Sequence, residues 1–134
     1  MREIKKTLEE SKEPSPVHRC ATGAAYEQMA VRYLEENGYR ILDRNYRIRS
    51  GEIDVIAADG DQIVFCEVKY RSSKHVESAL SAVDRKKQAK IIRVARYYLM
   101  RHQAFSDCAV RFDVLGINQQ GEITHIHNAF GETW

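Results

Sequence analysis

Residues 51–56 of this chain are Gly-Glu-Ile-Asp-Val-Ile, and residues 63–69 are Ile-Val-Phe-Cys-Glu-Val-Lys. Both stretches are mostly apolar, as buried β-strands are, yet they contain Asp54, Glu67 and Lys69. Isolated charges in buried strands are costly because burial disfavours the ionised form. Two carboxylates and an ammonium group become tolerable together if a divalent metal and an anionic substrate complete the site. The two stretches therefore predict a metal-dependent site that acts on a phosphodiester.

A tight hairpin is predicted between these stretches, because residues 59–61 are Asp-Gly-Asp, and such residues accept positive φ. Side chains alternate faces along a strand, so Glu67 and Lys69 point the same way. A two-residue loop that begins at Asp59 makes Glu67 the diagonal neighbour of Asp54, at roughly 7–8 Å between Cα atoms. A loop that begins one residue later places the two carboxylates directly opposite. Either register gathers both carboxylates and the lysine on one face, whereas a loop with an odd residue count and no compensating bulge would separate them.

The rest of the chain alternates between predicted helices and strands. One apolar stripe at helical spacing ends at Gly38, a helix terminator, and Asp84 is the predicted N-cap of a second helix. The expected elements are a helix at 22–37, strands at 39–46, 53–58 and 62–70, a helix from 84 to about 102, and strands at 110–117 and 122–126. This order predicts an α/β or α+β fold with a mixed sheet flanked by helices.

Length and composition predict one soluble domain. The chain has 134 residues, of which 43% are hydrophobic and 30% charged, and no apolar run approaches the roughly 20 residues of a membrane helix. Residues 1–19 are polar and contain both prolines, so we expect a flexible tail with one helical turn near residues 4–8, followed by a single domain at 20–134. The three cysteines form no Cys-x-x-Cys pair, which predicts a reducing cytoplasm.

Positive charge is concentrated in residues 69–101. This segment has ten Lys or Arg and two acidic residues, a net charge of +8, so the remainder of a chain with formal charge +2 carries −6. Such a segment indicates an anionic polymer as partner, although a solvated helix face has a similar composition. The predicted phosphate contacts are Arg71, Lys86, Lys87 and Lys90.

The predicted chemistry follows from the ligand types. The carboxylate oxygens of Asp54 and Glu67 suit a hard cation such as Mg²⁺ or Mn²⁺, which holds a phosphate and lowers the pKa of a bound water. Lys69 can orient or help deprotonate that water. Glu27 lies on or beside the inward stripe of the first helix, where it can add a ligand or hold a metal-bound water. An ion pair between Lys69 and either carboxylate is the structural alternative.

The ordered motifs resemble a known family. Asp54 followed by Glu67-Val68-Lys69 on the next strand resembles the core of the PD-(D/E)xK nuclease superfamily, which includes restriction-endonuclease-like and archaeal Holliday-junction-resolvase proteins. Over residues 20–131 the chain is similar to the YraN-like family of uncharacterised bacterial proteins, with matching pieces that include Gly23–Glu27, Gly38-Tyr39, Asn45–Arg47, Gly51–Asp54, Glu67–Lys69, Arg71, Lys87, Arg111–Val114 and Asn128–Phe130. The resemblance implies a restriction-endonuclease-like fold with Asp54 and Glu67 as metal ligands. It further implies Lys69 as the catalytic lysine and Glu27 as an acid supplied by the helix.

Three further polar residues lie in predicted strands. His125 and His127 share a strand face, which is compatible with a metal, but no third ligand is evident nearby. Asp113 is another charge inside a strand, and we expect it to pair with an arginine rather than to act directly in catalysis.

Two main hypotheses follow. The first is a metal-dependent DNA endonuclease that is selective for structure and acts in DNA repair or recombination, since no base-reading motif is visible. The second is a nucleic-acid-binding module or partner subunit that has the nuclease fold but little or no catalytic activity. A purely structural salt-bridge network is a third alternative. A homodimer would suit an enzyme that cuts both strands of a duplex.

Overall fold

The computed structural model describes residues 2–7, 23–71 and 83–131. Its elements, in chain order, are β1 (Arg2–Thr7), α1 (Gly23–Glu36), β2 (Arg40–Ile48), β3 (Gly51–Asp59), β4 (Gln62–Tyr70), α2 (Arg85–Arg101), a short 3-10 helix (Gln103–Phe105), β5 (Ala109–Ile117) and β6 (Glu122–Phe130). The strands form one sheet in the order β1-β6-β5-β4-β3-β2. Strands β4 and β5 run parallel, and the other neighbours run antiparallel. The predicted α+β fold, a mixed sheet flanked by helices, is confirmed.

Each helix covers one face of this sheet. The cluster under α1 includes Ala30, Tyr33, Leu34, Val55, Val64, Cys66 and Leu115. The cluster under α2 includes Ile56, Phe65, Ile91, Val94, Tyr98, Phe112 and Val114. Because the central strands are buried on both faces, residues 63–66 are apolar without alternation. Among the described residues, no helix has the length and apolarity that a bilayer crossing requires.

The ends of the two helices follow the predicted signals. Helix α1 ends before Gly38, which has a φ of 88°, a conformation that glycine adopts without steric cost. At the start of α2, the Asp84 carboxylate accepts a hydrogen bond from the Lys87 backbone N–H at 2.9 Å. This N-cap fixes where α2 begins and therefore where its first side chains lie.

The register of the β3–β4 hairpin is set by its loop. The loop is Gly60-Asp61, with Gly60 at a φ of 63°, so that Asp59 pairs with Gln62. Of the two registers that the sequence allows, this is the one that places Asp54 opposite Glu67. The two carboxylates therefore meet at the far end of the hairpin.

Part of the predicted flexible tail is a strand. Residues 2–7 pair antiparallel with β6, so the expected helical turn near residues 4–8 is wrong where the structure describes it. The sequence Arg-Glu-Ile-Lys-Lys-Thr has no apolar alternation, and backbone hydrogen bonds to an edge strand require none. Residues 8–19 of the predicted tail, and the predicted boundary at residue 20, lie outside the described residues.

Candidate functional site

A pocket of about 370 Å³ lies at the end of the sheet, where β3 and β4 meet the first turns of both helices. Its walls include Glu27, Asp54, Glu67 and Lys69, which are the four predicted catalytic residues. The remaining lining residues are Gly23, Tyr26, Glu52, Val68, Tyr70 and Lys87. The structure therefore brings the four predicted side chains to one concave surface.

Asp54 lies where the ladder between β3 and β4 ends. The last backbone pair is Val55 with Cys66, and Oδ2 of Asp54 then accepts a hydrogen bond from the Val68 backbone N–H at 2.8 Å. Within residues 23–71 and 83–131, no group donates a hydrogen bond to Oδ1 of Asp54. Because buried polar atoms are normally paired, this oxygen is a candidate ligand for a cation.

Burial and neighbouring carboxylates dominate the electrostatic environment of Asp54. Burial and, next, the charge of Glu67 raise the pKa of Asp54 from its ordinary 3.8 to about 7, against the lowering effect of the hydrogen bond from Val68. The charges of Glu27 and Glu52 act in the same direction as that of Glu67. A divalent cation beside Asp54 would reverse this balance by favouring the ionised carboxylate.

Two lysines approach the second carboxylate. Nζ of Lys69 lies 3.3 Å, and Nζ of Lys87 lies 3.4 Å, from the same Oε2 atom of Glu67. The Glu67 side chain is only 5% exposed, whereas those of Lys69 and Lys87 are 25% and 36% exposed. In the described part of the chain, these ion pairs leave Oε1 of Glu67 as a second candidate ligand. The ammonium groups can at the same time reach a molecule that enters from solvent.

Sequence reasoning assigned Lys87 to phosphate contact but missed that it reaches Glu67. The position of Lys87 depends on how α2 docks on the sheet, which local sequence does not specify. The available signal was its place three residues after the N-cap Asp84, because that spacing puts it in the first turn. Glu52 was also not predicted as a site residue, although Glu-x-Asp spacing places it near Asp54 along β3. Glu52 pairs with Arg47, with 2.6 Å between Oε1 and Nε.

The other predicted phosphate contacts lie outside the described walls of the pocket. Arg71 follows the last residue of β4, and its guanidinium donates a hydrogen bond to the carbonyl of Tyr70 at 2.8 Å. Lys86 and Lys90 are exposed on α2. Their contact with nucleic acid stays a prediction.

A second polar cluster, centred on Asp113, is buried between α1 and the sheet. The Asp113 carboxylate accepts two hydrogen bonds from Arg111, each 3.0 Å, and one from the Asn128 backbone N–H at 2.9 Å. His125 Nε2 lies 2.6 Å from the carboxylate, and Nδ1 lies 2.9 Å from the Tyr33 hydroxyl. Burial alone would raise the pKa of Asp113, but the hydrogen bonds from His125 and Arg111 outweigh it and lower this pKa. The predicted pairing of Asp113 with an arginine is confirmed.

This Asp113 cluster also contains a possible ligand set. Single ligand atoms of Asp113, His125 and His127 lie within 4.8 Å of one another, so the expectation that no third ligand lies near the two histidines is wrong. However, both oxygens of Asp113 and both ring nitrogens of His125 already have hydrogen-bond partners. A cation would have to replace these bonds. We therefore assign the cluster to stabilising the register shift between β5 and β6, which begins after Phe112.

The fold and the pocket define a class of protein: an α+β protein with two buried acids and a lysine at the end of two adjacent strands. The chain belongs to the uncharacterised protein family UPF0102, whose family model matches residues 26–117. The resemblance to the YraN-like family, which is this same family, is thereby confirmed.

Curated relatives match most of the chain. The UPF0102 protein of Geobacter metallireducens is 44% identical over 117 residues, which cover 85% of this chain and 95% of the relative. The UPF0102 protein of Alkaliphilus oremlandii is 49% identical over 112 residues, which cover 81% and 96%. A solved structure, "The structure of Pyrococcus Furiosus SfsA in complex with Ca2+", is 16% identical with a TM-score of 0.26, over 78% of this chain and 60% of that one. This similarity is too weak to support a conclusion about function.

Proposed function

We propose that the protein is a metal-dependent endonuclease that hydrolyses phosphodiester bonds in DNA at the pocket between β3 and β4. The observation that supports this most is that buried Asp54 and Glu67 share one pocket with Lys69. Carboxylate oxygens are the ligands that hard divalent cations prefer. Asp54 has one oxygen that accepts no hydrogen bond from the described residues, and burial and Glu67 raise its pKa. Both features are expected of a carboxylate ligand whose cation is absent. The residues therefore fit Mg²⁺ or Mn²⁺.

Each residue has a role that its position supports. Asp54 and Glu67 would hold the cation, which when bound polarises the phosphate and activates water. Lys69 lies beside Glu67 and can therefore reach the phosphate that the cation holds. Its ammonium group orients the attacking water and stabilises the negative charge that develops on the phosphate. Lys87 adds a second positive charge at the same carboxylate, suited to a non-bridging phosphate oxygen. Glu27, on the α1 side of the pocket, can hold a water molecule in place.

The proposal is tested with single-stranded, duplex, flapped and four-way DNA incubated with Mg²⁺ or Mn²⁺. Wild-type protein should nick at least one of these substrates, with a preference among structures rather than sequences, and EDTA should stop the reaction. Lys69→Ala should reduce the rate by about 100-fold or more, the usual contribution of a positioned acid or base. Retained DNA binding by this variant would show that chemistry, not recognition, was lost.

The alternative function is a nucleic-acid-binding module or partner subunit with little chemistry. The exposed basic residues of α2 favour it as the second candidate, because they provide binding independently of the carboxylates. It predicts that wild-type and Lys69→Ala proteins bind DNA equally and that neither nicks any substrate in either metal.

The setting of the reaction forms part of the same proposal. Cys66 and Cys108 are free thiols, which suits the reducing cytoplasm and action in DNA repair or recombination. A homodimer, which would present two pockets to the two strands of a duplex, is tested by sedimentation of the wild-type protein with and without DNA.

A further inference from the structure

A second concave surface lies along α2, away from the pocket that contains Asp54 and Glu67, which we call the carboxylate pocket. This groove has a volume of about 470 Å³, and its walls include Arg85, Gln88, Arg93, Arg96, Ile92 and Phe130. Three guanidinium groups thus border a surface that also contains an aliphatic and an aromatic side chain. We call it the arginine groove.

The geometry of α2 separates the arginine groove from the carboxylate pocket. At 3.6 residues per turn, Arg96 lies within about 20° of Arg85 around the helix axis, and Arg93 lies within about 80°. Lys87 lies about 200° from Arg85, on the side that reaches Glu67. The first turn of α2 therefore places one positively charged side chain in each concave surface: Arg85 in the groove and Lys87 in the carboxylate pocket.

Two of the three guanidinium groups in the arginine groove lack a partner carboxylate among the described residues. Arg85 and Arg93 are exposed, and in the part of the chain that the structure describes neither forms an ion pair. By contrast, the partly buried guanidinium group of Arg111 pairs with the carboxylates of Asp113 and Asp59. Unbalanced guanidinium groups in a concave surface favour an anionic ligand, and arginine matches phosphate geometry well.

We infer that the arginine groove binds the sugar-phosphate backbone of the same nucleic-acid strand whose scissile phosphate occupies the carboxylate pocket. This inference rests on the proposed function, which it deepens by naming where the strand leaves the pocket. The guanidinium groups contact phosphates, while Ile92 and Phe130 offer apolar surface to a sugar or a base face. The strand crosses the first turn of α2 between Lys87 and Arg85.

The dimensions of α2 predict a dependence on substrate length. From Arg85 to Arg96 the helix rises about 16 Å, so the arginine groove spans several successive phosphates of one strand. Crossing the helix, with a diameter of about 10 Å, requires further nucleotides. Affinity should therefore increase with strand length on one side of the cleavage position until the strand covers the groove, and then level off.

The test is equilibrium binding of fluorescent DNA, without divalent metal, at several salt concentrations. The variant is Arg85→Ala with Arg93→Ala, and the control is Arg32→Ala with Arg40→Ala, two exposed arginines elsewhere. Each phosphate contact contributes about 0.9 to the slope of log affinity against log salt. The magnitude of this slope should therefore be smaller by about two for the groove variant than for wild type, and the groove variant should bind on the order of tenfold more weakly at 0.1 M salt. The slope and affinity of the control variant should change little. Melting temperatures equal to wild type confirm that both variants are folded.

The outcomes separate this inference from the proposed function. Groove-specific weakening, together with loss of the dependence on strand length, supports the inference whether or not the protein cuts DNA. Equal effects of the two double variants, or an unchanged salt slope, would overturn it even if the wild type nicks DNA. Binding by the groove without any metal-dependent nicking would instead count against the endonuclease alone.

Discussion

Replacing Asp54 by Asn should stabilise the metal-free protein at neutral and alkaline pH. Burial and the charge of Glu67 raise the folded pKa of Asp54 to about 7. Between pH 3.8, the ordinary pKa of an aspartate, and about pH 7, the folded protein keeps a proton on Asp54 that the unfolded chain has released. The free energy of unfolding therefore falls as pH rises through this range. At about 1.36 kcal/mol per pH unit, the ionised Asp54 costs on the order of 4 kcal/mol above pH 7. Asn has the same shape and can still accept the hydrogen bond from Val68, but it carries no charge.

The assay is urea unfolding in EDTA at pH 5 and pH 8, followed by circular dichroism. Asp54→Asn should be more stable than wild type by about 1–2 kcal/mol at pH 5 and by about 4 kcal/mol at pH 8. Asp61→Asn, an exposed loop carboxylate, should stay within about 0.5 kcal/mol of wild type at both pH values. A variant less stable than wild type at pH 8 would refute the reasoning, because it would show the ionised Asp54 to be a favourable member of a salt-bridge network.

Three further predictions test other parts of the structure. Lys87→Ala should weaken DNA binding and lower any nicking rate, which kinetics at saturating Mg²⁺ would measure, but nicking should still depend on metal. Complete loss of metal dependence would contradict the role given to Lys87. Asp113→Ala should cost about 3–5 kcal/mol of unfolding free energy, since it leaves Arg111 without its buried carboxylate partner; a loss below about 1 kcal/mol in urea unfolding would show that the cluster contributes little. Asp84→Ala should cost about 1 kcal/mol through loss of the N-cap, and Asp84→Asn should recover most of it; identical melting temperatures for all three proteins would argue against the cap.

The convergence of Asp54, Glu67 and Lys69 could be predicted because it depends on short-range geometry. Two strands joined by a two-residue loop hold their side chains in a fixed register, and alternation decides which ones share a face. The sequence left two registers open because both adjacent pairs of residues within 59–61 suit a tight turn. The positive φ of Gly60 as the first loop residue decides between them.

The features that sequence reasoning missed depend on contacts between distant segments. Lys87 reaches Glu67 only because α2 docks against the sheet over β3, and the cluster around Asp113 forms only when β5 pairs with β4 and β6. Likewise, the charge pattern of residues 69–101 indicated an anionic partner but not which side of α2 would be concave. Strand β1 was missed because pairing at a sheet edge is a backbone interaction that its polar side chains do not reveal.

The central claim, that the buried carboxylate pair binds a divalent cation, is tested most directly by titrating Mn²⁺ and following the free ion by electron paramagnetic resonance. The wild-type protein should deplete free Mn²⁺ at pH 8, and its affinity should fall about tenfold per unit as pH drops below the folded pKa of Asp54, about 7. The Asp54→Asn protein should lose this binding. Equal depletion of Mn²⁺ by both proteins, or no pH dependence in the wild type, would contradict the account.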